Sequence, residues 1–299
     1  MSRLSVAVIG IGAMGAPMAR RILAAGFELT VCDASEKARA AFAGSGAHVT
    51  ADPAECGAAD VIVVMVATPG QVYDVVAGPG GLVAGVRKGK SPLVAVMSTV
   101  SKAVLSDLHG CLAERGLRLV DAPVSGGPPR AENGTLTVMV GGDTSDIRSL
   151  WPVLESIGSH IVTCGPVGAA QVVKLVNNLI CAANVAIAGE AYCLAMENGL
   201  RLEGILPALD TGTGRSFLTA DPTETREYFS LWAATRPDFE TLMSVIRKDV
   251  GLAAELASSA PGSYPALGNL SRLLDALGDE TFQNWRMIAA PENKVSGSA

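Results

Sequence analysis

Residues 4–33 read LSVAVIGIGAMGAPMARRILAAGFELTVCD. Residues 4–9 are a short β-rich run, and the turn Gly10-Ile11-Gly12-Ala13-Met14-Gly15 follows directly. Residues 14–25 favour a helix, and Gly26 stands where a left-handed residue would close it. Residues 28–32 return to strand, and Asp33 ends it. Strand, GxGxxG, helix, strand and acid, in that order, describe a dinucleotide-binding βαβ unit. Gly10 permits the tight turn, Gly12 lets main chain approach a pyrophosphate, and Gly15 brings helix and strand together. The helix N-terminus would hold the phosphates, with Ile11, Ala13 and Met14 lining them between the glycines. Asp33 would accept hydrogen bonds from an adenosine ribose and repel a 2′-phosphate, which favours NAD over NADP. Lys37 and Arg39 read as a solvated helix face.

The alternation continues. Residues 35–44 look helical and 47–50 form a short strand. Asp52-Pro53-Ala54-Glu55 is a helix start, with an N-cap, a proline and an acid in the first turn. Residues 61–66 and 93–97 are continuous apolar runs, as central parallel strands require. Ligands gather at the ends of such strands, so Thr99 is a cofactor candidate or an N-cap for a helix over 102–115. Residues 117–120 lead into Asp121-Ala122-Pro123-Val124-Ser125-Gly126-Gly127. That segment offers one hydroxyl and two main-chain N–H groups to a carboxylate or phosphate, or it is a flexible turn. A strand over 136–140, a helix over 143–156 and a strand over 161–164 complete a first domain. Gly165-Pro166 marks its boundary.

Residues 167–199, VGAAQVVKLVNNLICAANVAIAGEAYCLAMENG, carry no charge besides Lys174, Glu190 and Glu197, and no proline. They predict one long helix of about 45 Å, longer than one small domain needs. The uncharged run 175–189 is shorter than the ~20 residues a bilayer requires. Lys174 and Asn178 share a face at i and i+4. An ammonium in an apolar helix is costly unless paired or used, and desolvation lowers its pKa toward what an acid–base catalyst needs. A lysine snorkelling from a helix end is the structural alternative. Beyond residue 202 helical runs at 203–209, 224–233, 239–257 and 266–277 imply an all-helical second domain. The expected plan is a Rossmann-type α/β domain (1–165), a helical substrate and dimerisation domain (166–290) and a disordered polar tail (291–299).

The chain has 299 residues, 49% apolar and 17% charged, with a net charge of −6. Acidic residues outnumber basic ones on both sides of Gly165, which argues against nucleic acid as a partner. Six cysteines (Cys32, Cys56, Cys111, Cys164, Cys181 and Cys193) form no CxxC pair, and three histidines are scattered. Reduced thiols, a cytoplasmic setting without a signal peptide, and no metal site are expected. The apolar surplus favours a homodimer or homotetramer over a monomer, and no membrane association is expected.

Four motifs line up in order: residues 8–19 around the glycine turn, residues 121–127, residues 168–178 with Lys174 and Asn177-Asn178, and Arg247-Lys248-Asp249. Over nearly the whole chain they resemble the β-hydroxyacid dehydrogenase family, near its 3-hydroxyisobutyrate branch. The resemblance implies hydride transfer between NAD and a small 3-hydroxy acid, with Lys174 as acid/base. It implies that Asn178 orients the substrate and that Ser125, Gly126 and Gly127 hold its carboxylate. Val66, Ala67, Gln71 and Thr99 would line the nicotinamide side, with Lys248 reaching in from the helical domain. Gly214-Arg215-Ser216-Phe217 resembles a substrate-side loop. The family often has Leu-Pro where this chain has Val66-Ala67, proline where it has Lys102, and a glycine-containing stretch where it has Pro128-Pro129-Arg130. These departures leave the acid itself open. Imine reductases share the architecture but generally lack the lysine, as do non-catalytic dinucleotide-binding relatives.

Overall fold

A computed structural model describes residues 4–290. The tail expected at 291–299 lies outside the described residues. Contacts divide the chain into two compact units, Met1–Lys174 and Leu175–Ala299. The division falls inside the long helix, whereas the sequence reading put it at Gly165-Pro166.

The first unit alternates strand and helix: β1 (Ser5–Ile9), α1 (Gly15–Ala24), β2 (Glu28–Cys32), α2 (Glu36–Ala40), β3 (His48–Thr50), α3 (Pro53–Cys56), β4 (Val61–Val64), α4 (Pro69–Ala77), β5 (Leu93–Val96), α5 (Lys102–Ala113) and β6 (Arg118–Asp121). Then come β7 (Val124–Ser125), α6 (Gly127–Asn133), β8 (Leu136–Gly141), α7 (Thr144–Ile157) and β9 (Gly158–Gly165), before α8 (Ala169–Glu197) begins. The sheet order is β3-β2-β1-β4-β5-β6-β8-β7, with β9 beside β8. β1 to β6 run parallel, and β8 turns antiparallel to β6. The order reverses between β1 and β4, so ligand is expected beyond the carboxyl end of β1, at the glycine turn. Side chains alternate between two cores. Val6 and Val8 point to one, Ala7 and Ile9 to the other. β4 and β5 are buried throughout because helices cover both faces.

Several elements differ from expectation. Ser101, not Thr99, caps α5, through a bond to its hydroxyl from Val104 N–H. Residues 127–133 form a helix that the sequence reading does not include. Proline has no N–H to lose in a first turn, so the Pro128-Pro129 pair starts α6 rather than preventing it. None of the six cysteines is in a disulfide.

The second unit contains no strand among its described residues. With α8 from Leu175 onward it comprises α9 (Leu202–Thr211), α10 (Pro222–Trp232), α11 (Arg236–Ser258), α12 (Pro265–Ala276) and α13 (Asp279–Ala289). Its core centres on buried Trp285, which meets Phe229 and Phe239 edge-on at 5.5 and 5.2 Å between centroids. α8 is long and apolar enough to cross a membrane by length and composition alone. Its Leu175, Ala182, Val185, Ala186 and Tyr192 instead belong to this core.

Candidate functional site

The three glycines of the first turn do three different things. Gly10 sits at φ +90°, and a Cβ there would lie 2.4 Å from Met65 O. A Cβ on Gly15 would lie 1.9 Å from Gly10 O, so α1 packs onto the turn only without a side chain. A Cβ on Gly12 would meet no described atom within 4 Å. The main chain is open at the position where a pyrophosphate must come close, so the residues fit a dinucleotide. α1 has no side-chain cap at Met14, which suits an N-terminus reserved for an anion. Asp33 stands over the same turn. Its Oδ2 accepts from Ile11 N–H at 2.9 Å and its Oδ1 from Ser35 N–H at 2.8 Å. Each carboxylate oxygen keeps a further lone pair for a ribose hydroxyl. Arg39, expected as a solvated residue, turns its Nη1 to Asp33 O (2.7 Å) and Ala34 O (2.9 Å).

The ends of β4 and β5 carry the next candidates. Gln71 is the N3 residue of a capping box with Thr68, and its Oε1 accepts from Ala67 and Thr68 N–H. The side chain thus fixes the Val66-Ala67 turn as well as starting α4. Ser98 Oγ donates to Val66 O at 2.8 Å and ties this turn to the end of β5. Thr99 follows, half-buried.

Ser125 ends β7, with Gly126 at φ +135° and Gly127 at φ +70°. Two consecutive left-handed residues explain why both must be glycine. Asp121, at the end of β6, is fully buried. It accepts from Gly168 N–H at 2.7 Å and Gln171 N–H at 2.9 Å, capping the start of α8 from another element. Burial pushes its carboxyl pKa up, against these bonds, which pull it down. Gln171 is also fully buried, bonded to Ser98 O and from Val100 N–H. Sequence reasoning assigned no role to Asp121 or Gln171. Lys174, one turn further along α8, is only 8% exposed, so it does not snorkel.

In the second unit Asn178 donates to Asp249 Oδ2 at 2.6 Å and accepts from Asn177 Nδ2 at 3.0 Å. Lys248 Nζ lies 2.9 Å from the other oxygen of buried Asp249. That carboxylate, which had been only part of a motif, organises both expected residues. In the 214–217 loop Phe217 stacks edge-on against Tyr228 and Trp232, and Arg215 pairs with Asp210. A cavity of about 390 Å³ in the first unit is bordered by Lys102, His109, Arg118, Asp146 and Gly168 among others, and none of the expected site residues borders it.

Residues 5–165 match the family described as the NAD binding domain of 6-phosphogluconate dehydrogenase. Residues 168–289 match the NAD-binding family of NADP-dependent 3-hydroxyisobutyrate dehydrogenase. The chain is 32% identical to a 2-(hydroxymethyl)glutarate dehydrogenase of Eubacterium barkeri, over 98% of this chain and 93% of that one. It is 33% identical to an NAD-dependent L-serine dehydrogenase of Pseudomonas aeruginosa, over 89% of each. The crystal structure of 3-hydroxyisobutyrate dehydrogenase from Salmonella typhimurium matches with a TM-score of 0.77 at 27% identity, covering 91% of this chain and 93% of that one. These matches define an oxidoreductase class whose first domain binds a nicotinamide dinucleotide. Within it, the chain belongs to the β-hydroxyacid dehydrogenase family.

Proposed function

We propose that this chain interconverts a small 3-hydroxy acid and its semialdehyde or keto acid, preferring NAD, with Lys174 as general acid/base. The observation that carries the reading is Lys174 itself. It is a buried amine on a helix whose first turn is bonded to the ends of β5 and β6. The relatives named for 2-(hydroxymethyl)glutarate and L-serine point to a shared substrate element: a hydroxymethyl group on the carbon next to a carboxylate. That is the substrate class proposed here.

The glycine turn at residues 10–15, with Asp33, would hold a nicotinamide dinucleotide, which would supply the hydride chemistry. Neutral Lys174 takes the hydroxyl proton in oxidation, and its ammonium returns one to the alkoxide oxygen in reduction. Ser125 Oγ and the N–H groups of Gly126 and Gly127 hold the carboxylate. Asn178, one turn from Lys174, presents the N–H that Asp249 leaves unused. Val66, Ala67, Gln71 and Thr99 line the nicotinamide side, and Lys248 completes the cofactor contacts. The Asp33 carboxylate supports NAD over NADP, since a 2′-phosphate beside it would be repelled.

Self-association and a cytoplasmic setting complete the reading. Val173, Val176, Ile180, Ile187 and Leu194 on α8 are exposed. At about 100° per residue they fall within about 60° of one another, on the side away from Lys174 and Asn178.

The test is Lys174→Ala assayed with NAD against 3-hydroxyisobutyrate, L-serine and 2-(hydroxymethyl)glutarate. Turnover should fall by about 10²–10⁴-fold while NADH affinity, read by fluorescence, stays. Full turnover in the variant would refute the assignment. A preference for a cyclic imine over every hydroxy acid would favour the imine reductase reading.

A further inference from the structure

Gln171 has no exposed surface, and both ends of its amide are engaged. Its Nε2 donates to Ser98 O at 2.9 Å, and its Oε1 accepts from Val100 N–H at 3.2 Å. These two main-chain groups flank Thr99. In the same turn of α8 its own N–H, with that of Gly168, donates to the carboxylate of Asp121. A buried amide in an apolar helix is unfavourable unless it is fully bonded, and an apolar residue would fill the space as well. What the amide adds is direction. Two bonds of opposite polarity to one loop cannot both survive a rotation of the helix, and the Asp121 bonds fix its start along the axis. Lys174 follows on the next turn, so the rotation of α8 decides where its amine points.

We propose that Gln171 is a positioning residue. It sets Lys174 against the Ser98–Thr99–Val100 segment, and so sets the proton-transfer group against the nicotinamide side of the cofactor, while Asp121 holds the same turn axially. The proposal rests on the reading of Lys174 as the acid/base.

The test uses Gln171→Met, which keeps the volume and removes both amide bonds. A displacement of about 1 Å costs on the order of 10²-fold in rate, so kcat should fall by that factor, with KM changed by less than about threefold. The substrates are 3-hydroxyisobutyrate and L-serine with NAD. In the protein without cofactor, amide hydrogen exchange should quicken at residues 98–100 and 168–174 and stay unchanged elsewhere. Wild-type kcat, or unchanged exchange in those two segments, would overturn the proposal. Lys174→Ala, run alongside, keeps the two ideas apart. Its survival would sink the acid/base reading, while exchange in Gln171→Met would still report whether the bonds hold the turn. Should Gln171→Met not fold, Asp121→Asn decides. It keeps one acceptor and the side-chain shape, and kcat should drop about tenfold with local exchange quickened at 168–174. Wild-type behaviour in that variant would overturn the proposal equally.

Discussion

Gly12 and Gly15 belong to one motif, yet substitution at each should fail differently. Gly12→Val adds bulk where no described atom lies within 4 Å. The thermal midpoint should stay within a few degrees, while NADH affinity, followed by fluorescence titration, should weaken at least tenfold, or about 1.4 kcal/mol. Gly15→Ala forces a Cβ toward Gly10 O, so α1 must shift and the loss should appear in the midpoint itself. Equal loss of binding and stability at both positions would contradict this division of roles. Asp33→Ser removes the charge beside the ribose site. The ratio of kcat/KM for NAD to that for NADP should drop, and an unchanged ratio would remove Asp33 as the discriminator. The tight glycine turn and the aspartate that ends β2 beside it were legible in the sequence because they are local: the spacing of the glycines and the acid sets them. Asp121 and Gln171 were not. An aspartate ending a strand and a glutamine in an apolar helix acquire their bonding partners only when the sheet brings Gly168, Ser98 and Val100 to them.

At the scale of elements, apolar runs and turn signals located the parallel strands well. β4 and β5 are buried along their whole length, so they read as unbroken valine-rich runs. The misses have physical causes. α6, to which the sequence reading assigns no element, carries two prolines in its first turn and closes on Gly134 in the left-handed conformation. α13 was not read at all, although it carries the residue on which the second core turns. Trp285 is 1% exposed and packs edge-on against Phe229 and Phe239. Trp285→Ala should cost about 3–5 kcal/mol through lost burial and a large cavity. Urea unfolding at fixed pH measures it, and a loss below 1 kcal/mol would mean the aromatic cluster collapses around the gap. The long helix was legible as one element, but its two faces were not. The exposed stripe from Val173 to Leu194 lies apart from Lys174, so Ile187→Asp should reduce the association state in sedimentation velocity while leaving NADH affinity intact.

Over the whole molecule, the charge pattern makes a stability prediction in which two carboxylates act with opposite sign. Asp60 has its pKa lowered from an ordinary value near 3.8, chiefly by the Ser5 hydroxyl and then by Ser5 N–H, with Lys90 assisting. Its contribution is present above the ordinary value and is lost as pH falls through the lower folded value. Asp121 is raised above the same ordinary value, because burial penalises its charge more than the Gly168 and Gln171 N–H bonds favour it. The folded state then binds more protons than the unfolded one, so stability falls as pH rises from the ordinary value through the raised one. Replacing each aspartate by asparagine isolates its share, since bonds lost at all pH values enter as a constant offset. The stability of Asp121→Asn minus that of wild type should grow with pH above about 4 and then level off. The stability of wild type minus that of Asp60→Asn should shrink as pH drops below about 4. Urea unfolding at half-unit steps from pH 3 to 7 reads both differences. A difference for Asp121→Asn that is flat or declining with pH would mean its carboxyl is not raised, and that the Gly168 and Gln171 N–H bonds outweigh the cost of burial.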